Sequence, residues 1–508
     1  MYHHYGDSEV HIIKESTPLI DNLITGIDVV FTFNHLLYIF IGCLVGTIVG
    51  ILPGLGPAAA ISVLLPITYY LDPLSGLMML AGIYYGTQYG GSITSILLNV
   101  PGETSTVMTC IDGYQMTKNG RAGVAIFAAG ISSFIAGIIA TVLIALLAPP
   151  LSEIGFHFGP AEYTSLMLLG FVGISAIATD DILKSIGVVC MGILVGTIGM
   201  DVITGVERFS FDSVHLIDGI GFNVVAIGLF ALSEIYSNIS KHEDIKFYSG
   251  RLQLIPSKED FKRMVPPTLR GTTIGSFLGL LPGGGITVSS YAAYAAEKKL
   301  SKNRHEFGKG AVEGVAAPEA ANNASAQVGY IPLLALGLPE NAVMAIMLGA
   351  FMMYGLLPGP TLMMERPDIF WGLTISMLVG NFILLMLNVP LVRLWTKILS
   401  IPYTLLYPFI LFVCAVGAYT MRNSIEDILF VAFFGTLGYM IMMFKVNPVP
   451  FMLGFVLGPK LEVVFRRTLI ISEGNFWIFL ERPISLILLL CTAAFLVVGF
   501  RNMKKKDA

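Results

Sequence analysis

The side chains able to do chemistry in this chain lie in two stretches of apolar sequence. APEAANNASAQVGYIPLLALGLPEN (317–341) carries Glu319, Asn322, Asn323, Ser325 and Gln327. YYGTQYGGSITSILLNVPGE (84–103) carries Gln88, Ser92, Thr94, Ser95 and Asn99. Hydroxyl and amide groups of this kind can bind the oxygens of a carboxylate or offer oxygen to Na+. Left unpaired in hydrocarbon, each costs several kcal/mol. Both stretches end in a proline-marked break, Val100-Pro101-Gly102 and Leu338-Pro339-Glu340. Two such clusters predict a polar cavity or ion path where the segments meet. Ser92, Ser95 and Asn99 share one helical face, and Asn322 and Ser325 form a counterpart, with Asn323 less well aligned. For any single serine the ordinary reading is an interhelical hydrogen bond worth about 0.6–2 kcal/mol. The Asn322-Asn323 pair beside Glu319 goes beyond that and is read as functional.

Glycine-rich tips come next. LPGLGP (52–57) holds Gly54 and Gly56, and LLPGGG (280–285) holds Gly283, Gly284 and Gly285. Glycine lets backbone approach closely and exposes N–H groups. A helix starting there carries partial positive charge, which suits a carboxylate or phosphate. The candidate substrate-binding set is therefore Gly54, Gly56, Ser92, Thr94, Ser95, Asn99, Gly102, Gly284, Asn322, Asn323 and Ser325. Glu103, Glu319 and Glu340 each follow a proline by one or two residues. That is an ordinary helix-start pattern worth about 0.3–1 kcal/mol. The functional alternative is a site for a coupling ion, Na+ or H+, built from Asn99, Glu319, Asn322, Asn323 and Glu340. A carboxylate at a helix start also competes with an anionic ligand for the same field.

These residues need helices that hold them in lipid. The 508-residue chain is 55% hydrophobic and 13% charged, against roughly 25% charge in soluble proteins. Its mean hydropathy is +0.77. Apolar runs long enough for a bilayer core of ~30 Å recur, without the alternation of a barrel. The fold class expected is an all-α polytopic membrane protein. A net charge of −4 implies no nucleic-acid partner. Cys43, Cys110, Cys190, Cys414 and Cys491 are scattered through apolar runs and read as small packing residues. No cofactor or metal set is expected beyond Na+, and His3 and His4 belong to a polar tail. No cleaved leader is visible near the start.

The chain repeats its own grammar. GTIVGILPGLGPAAAIS (46–62) is matched by GTTIGSFLGLLPGGGITVSS (271–290), with Leu52 and Leu281 holding the same place 229 residues apart. Each half then shows a broken polar helix and several plain apolar spans. Interrupted helices in matching halves point to a transporter site. The organisation expected is a polar tail (1–33), a first transmembrane repeat (34–240), a linker (241–265), a second repeat (266–464), and a C-terminal helix with a basic tail (465–508). Each repeat opens with a re-entrant helical hairpin. Lys and Arg place the linker and the loop with Lys298, Lys299, Lys302, Arg304 and Lys309 in the cytoplasm. The mouth of the first hairpin, 72–75, has no basic residue, so the repeats are expected to be inverted. Arg466 and Arg467 fall on the outer side in this count, against the rule.

At these motifs the sequence resembles the large membrane subunit of the tripartite tricarboxylate transporters, the TctA family. The likeness is carried by GTIVGILPGLGPAAAISVLLP (46–66), GIYYGTQYGGSITSILLNVPGE (82–103), IDGYQMTKNGRAG (111–123), FGKGAVEGVAAPEAANNASA (307–326), IPLLALGLP (331–339), GLLPGP (355–360) and NPVPFMLGFVLGPKLEVVFRRTL (447–469). It implies a multi-pass protein of the prokaryotic cytoplasmic (inner) membrane. That protein would import a small carboxylate, citrate or a related organic acid, by cation-coupled alternating access. It would work with a small four-helix membrane subunit and an extracytoplasmic solute-binding protein; a homo-oligomer is left open. One departure stands out. The family's second break reads as IPG followed by a small residue, whereas this chain has Leu338-Pro339-Glu340-Asn341. No nucleotide-binding P-loop is present, so ATP is not consumed by this chain and a coupled ion would be needed for accumulation; the expectation is a carrier and not an enzyme. The alternatives are a channel-like pore and an intramembrane hydrolase.

Overall fold

The computed structural model describes residues 19–52, 55–178, 181–239, 254–281, 285–398 and 403–506. It is helical almost throughout, with one two-residue β-pair, Gly199–Met200 against Glu207–Arg208. In chain order, α1 (Leu19–Val30) leads to a hairpin of α2 (Phe33–Ile51) and α3 (Pro57–Thr68), then the long α4 (Pro73–Leu98). After a break come α5 (Val107–Lys118), α6 (Ala122–Gly155), α7 (Pro160–Ala178) and α8 (Ile182–Gly196). The short α9 (Val214–Ile217) and α10 (Phe222–Ala226) precede a π-helical stretch, Ile227–Leu232, and α11 (Ser233–Ile239). The second half opens with α12 (Lys258–Leu278) and α13 (Gly285–Leu300), then α14 (Glu313–Val328), α15 (Tyr330–Leu336) and α16 (Ala342–Met353). It continues through α17 (Pro360–Glu365), α18 (Pro367–Asn388), α19 (Val392–Ile398), α20 (Tyr403–Arg422), α21 (Ile425–Met443) and α22 (Val449–Ile471). The chain ends with α23 (Ile478–Glu481) and α24 (Pro483–Lys506). Among the described residues five helices are long and apolar enough to cross a membrane: α2, α6, α18, α21 and α24 up to Arg501.

Several boundaries differ from those expected. The end of the polar tail is helical: α1 packs on α18, with Gly26 close to the Trp371 carbonyl. The helix of the second hairpin begins inside the linker, at Lys258, where Ser257 accepts the Asp260 N–H as a cap. α5 runs through Asp112, which it buries, and on to Lys118. α22 continues past residue 464 to Ile471.

Two ladders of small residues set the hairpins. Gly42, Gly46 and Gly50 line one face of α2, and the carbonyls of Met79, Ile83 and Thr87 on α4 lie directly against them. Gly271, Gly275 and Gly279 on α12 meet Ala317, Ala321 and Ser325 on α14 in the same way. Without Cβ atoms the backbones approach closely, which is how helices associate where no hydrophobic drive separates them from lipid. The hairpin residues of the halves are 229 apart and the broken-helix residues 238 apart. That register holds to the helix ends. Asn99 ends α4 in the left-handed conformation at φ 60°, and Gly337 ends α15 at φ 71°. Glu103 and Asn341 then hold the same place. Glu103 forms a capping box with Thr106, and Asn341 accepts the Met344 N–H at 2.9 Å.

The two halves also touch reciprocally. Asn322 Nδ2 donates to Glu103 Oε1 at 3.3 Å, and Asn341 Nδ2 donates to Tyr84 Oη at 3.4 Å. Asn322 and Tyr84 are equivalent, as are Glu103 and Asn341. Polar contacts gather at two ends. Arg121 pairs with Asp260, and Arg263 with Glu306 and Glu313, around the mouth of the second hairpin. Burial opposes ionisation of Asp260, but Ser257 and Arg121 outweigh it and hold the carboxyl below its usual range. At the mouth of the first hairpin, Tyr70 Oη donates to the Thr420 carbonyl at 2.6 Å, and Arg422 to that of Gly219 at 3.0 Å. The 199–219 loop carries Asp201, which pairs with Arg466 at 2.8 Å. Arg466 holds the Asp201 carboxyl well below the usual carboxylate range and also meets Glu462. Of the two arginines that broke the charge rule, Arg466 thus meets two carboxylates, which it shares with Arg208.

The glycine ladders generate a prediction. Gly46→Val and Gly275→Val place side chains against the Ile83 and Ala321 carbonyls, and overpacking of this kind costs about 1–3 kcal/mol. Both variants should melt at lower temperature in detergent, while Gly187→Ala, with open space at its Cβ, should not.

Candidate functional site

The site forms where α4, α5, α13 and α14 meet. Glu319 lies in the middle of α14, with Pro318 inside the helix, so it starts no helix; Glu313 is the first-turn acid. Its carboxylate is 1% exposed. Ser92 donates to Oε2 at 2.6 Å, and the Thr109 hydroxyl donates to Oε1. No basic side chain pairs with Glu319 or Glu340 among the described residues. A lone charge in such a place would be very costly, so the group must be neutralised by a proton or a bound cation. Beside it is a cavity of about 10 Å³, lined by Tyr89, Ser92, Ser133, Glu319 and Asn388 with apolar neighbours. That is room for about one water or one bare ion. The Tyr89 hydroxyl has no partner.

Glu103 differs. It is half-buried, caps the turn Thr104–Thr106, and accepts from Ser105 and from Asn322. The helix-start reading therefore describes Glu103 and fails for Glu319. Glu340 is also not a cap, because Asn341 fills that role. Asn341 Nδ2 donates to Glu340 Oε1 at 2.7 Å, and Oε2 has no partner.

Of the other expected residues, Asn322 Oδ1, Asn323 Oδ1 and Ser325 Oγ are buried and unpaired. Asn323 Nδ2 donates to Ser133 at 2.7 Å. Thr94 and Ser95 turn to other partners: Thr94 donates to the Ile51 carbonyl at the end of α2, and Ser95 to Thr106 at 2.8 Å. The face expected to unite Ser92, Ser95 and Asn99 is therefore split: Ser92 turns to Glu319, Ser95 to Thr106, and Asn99 is exposed at the end of α4. Gly102 lies with its Cα against Gly91. The Gly56 N–H, at the start of α3, donates to Glu234 Oε1 at 3.1 Å. Gly54 and Gly284 lie outside the described residues.

Several residues were missed. Thr109 and Ser133 carry no signal of their own; they matter only because α5 and α6 bring them to Glu319 and Asn323. Asp112 did have a signal, its place in IDGYQMTKNGRAG. Its Oδ1 accepts the N–H groups of Gly308, Gly310 and Ala311 at 2.8–2.9 Å, and Tyr294 donates to Oδ2 at 2.8 Å. Asp112 thereby clamps the FGKGA loop that leads into α14. Asp112→Ala strands three N–H groups at about 1–3 kcal/mol each. The expected outcome is a sharp fall in membrane abundance and melting temperature, with Asp112→Asn, which keeps an acceptor, falling less.

The description "Tripartite tricarboxylate transporter TctA family" fits residues 36–453 of the chain. An uncharacterised 52.8 kDa protein in the TAR-I ttuC′ 3′ region of Agrobacterium vitis is 47% identical over 482 residues, 95% of this chain and 96% of the relative. An uncharacterised protein in the TAR-II ttuC′ 3′ region of the same organism is 49% identical over 215 residues, 42% of this chain and 89% of the relative. An uncharacterised protein of Methanocaldococcus jannaschii is 23% identical over 252 residues, 49% of this chain and 58% of the relative. No solved structure matches the chain. With apolar helices, paired repeats and polar groups sealed between them, the chain is an integral membrane protein and belongs to the TctA family of tripartite tricarboxylate transporters.

Proposed function

We propose that this chain is the carrier subunit of a cation-coupled secondary transporter that imports a small carboxylate by alternating access. It would work in the prokaryotic cytoplasmic membrane with a small four-helix membrane subunit and an extracytoplasmic solute-binding protein. The observation that carries this reading is Glu319: a fully buried carboxylate, held by two hydroxyls, without a basic partner among the described residues, beside a cavity of about 10 Å³. Family membership supports the substrate class.

In this reading Glu319 with Ser92 and Thr109 takes the coupling ion, Na+ or H+. The carboxylate binds near the start of α13 and the first break, where hydroxyls and amides replace its water. Inversion of the repeats is supported by the two hairpin mouths, which join separate polar groups: Tyr70 with the 420s, and Arg263 with the 304–313 loop. Alternation is supported by an asymmetry. Asn99, Pro101 and Thr104 of the first break are exposed, whereas Pro339 and Glu340 of the second are buried. One break open while its equivalent is closed is what access from a single side requires.

The test is uptake into proteoliposomes holding both membrane subunits, with the solute-binding protein supplied, against imposed Na+ and H+ gradients. A panel of labelled carboxylates should be accumulated only with one of these gradients. Asn322→Ala and Asn323→Ala should lower uptake at least tenfold at unchanged abundance; normal uptake would remove them from the site. Glu319→Gln should abolish accumulation and its gradient dependence while the protein stays folded. Gradient-driven uptake that survives this change would exclude Glu319 as the coupling group.

A further inference from the structure

The start of α13 stands between the two breaks. On one side Thr287 Oγ1 lies 2.9 Å from Thr104 Oγ1, which is exposed. On the other side Gly285 is buried against Glu340: a Cβ on Gly285 would stand 3.0 Å from Ser325 Oγ and closer still to Glu340 Oε2. The repeat register makes position 340 informative. Its equivalent is Gly102, which has no side chain and presses on Gly91. The equivalent of Gly91 is Gly329, and the Glu340 side chain fills the space beside it. The second half thus holds a carboxylate where the first half holds none.

Ordinary roles do not account for that carboxylate. It caps no helix, since Asn341 caps α16. Among the described residues it forms no ion pair, and only Asn341 donates to it. Oε2 and the neighbouring Ser325 Oγ are both fully buried and unpartnered, and both face the first residue of a 16-residue helix. That is where a helix start attracts a ligand's carboxylate.

We propose that Glu340 is a specificity-determining residue that fills, with the chain's own carboxylate, the buried side of the α13 start, so that the transported anion is a dicarboxylate engaging the open side at Thr104 and Thr287. This rests on the carboxylate reading above. A third carboxylate on the ligand would have to share the helix start with Glu340. Glu340 already occupies that space, so a third carboxylate meets its bulk there in either protonation state.

The experiment measures binding of succinate and tricarballylate to the purified complex of both membrane subunits, without the solute-binding protein so that its own selectivity does not intervene. Wild type should favour succinate at least tenfold. Glu340→Gly, which restores the residue of the first half, should raise the ratio of tricarballylate to succinate affinity at least tenfold. Glu340→Gln, which removes charge but keeps bulk, should raise it less. Abundance and melting temperature check that both variants fold. Wild type binding both acids equally, or folded variants that keep the wild-type ratio, overturns the assignment of Glu340 while leaving carboxylate transport standing. Wild type that binds neither acid, and takes up none in the full complex, overturns the transport reading and this inference with it.

Discussion

The structure depends on how closely two helix backbones can approach in each half. Gly42, Gly46 and Gly50 let α2 lie on the carbonyls of α4, and Gly271, Gly275 and Gly279 let α12 lie on α14. Contact at that range has one register, because a shift of a single residue would drive a side chain into a carbonyl. Fixed register then fixes where α4 and, beyond α14, α15 end, and so where both breaks fall. The polar groups follow. Ser92 reaches Glu319, Asn322 reaches Glu103, and Tyr84 meets Asn341 because the scaffold under them cannot slide.

Within that scaffold the three glutamates do different work. Glu103 stabilises a turn and lends one oxygen to Asn322. Glu319 and Glu340 stabilise no helix start and lie fully buried among hydroxyls, amides and glycines. A chain selected only for stability would gain from apolar residues at both places. Their presence there fits the carrier reading proposed above, in which such groups change state when a solute or an ion moves. The Asp112 cluster is the useful contrast. Four donors satisfy that carboxylate, and the result is a clamp on a loop.

Much of this was legible in the sequence. The apolar runs and the proline-marked breaks lie close to where they were read, because glycine, proline and hydropathy act locally. The partners of the polar residues were not legible. Helical spacing places Ser92, Ser95 and Asn99 on one face, yet Ser95 turns to Thr106 and Asn99 ends its helix in a left-handed turn. Thr109 and Ser133 were invisible because only the packing of α5 and α6 against α14 gives them a role. The three proline-glutamate pairs looked alike, although only the capping residue of each turn, Glu103 in one half and Asn341 in the other, tells them apart.

The repeat is faithful in its backbone and unfaithful in its chemistry, and that contrast bears most directly on function. The ladders, the left-handed helix ends and the caps recur in register, since both halves must build the same shape. The side chains around the shared centre do not recur: Asn322 answers Tyr84, Asn323 answers Tyr85, and Glu340 answers Gly102. A fully symmetric lining would present the same groups twice and could not distinguish a coupling ion from an anion. With carboxylate and amides near the first break, and tyrosines with a second carboxylate near the other, the two halves offer different charge at similar geometry. In the carrier reading proposed above, a small acid and its driving ion each meet the side whose groups complement it.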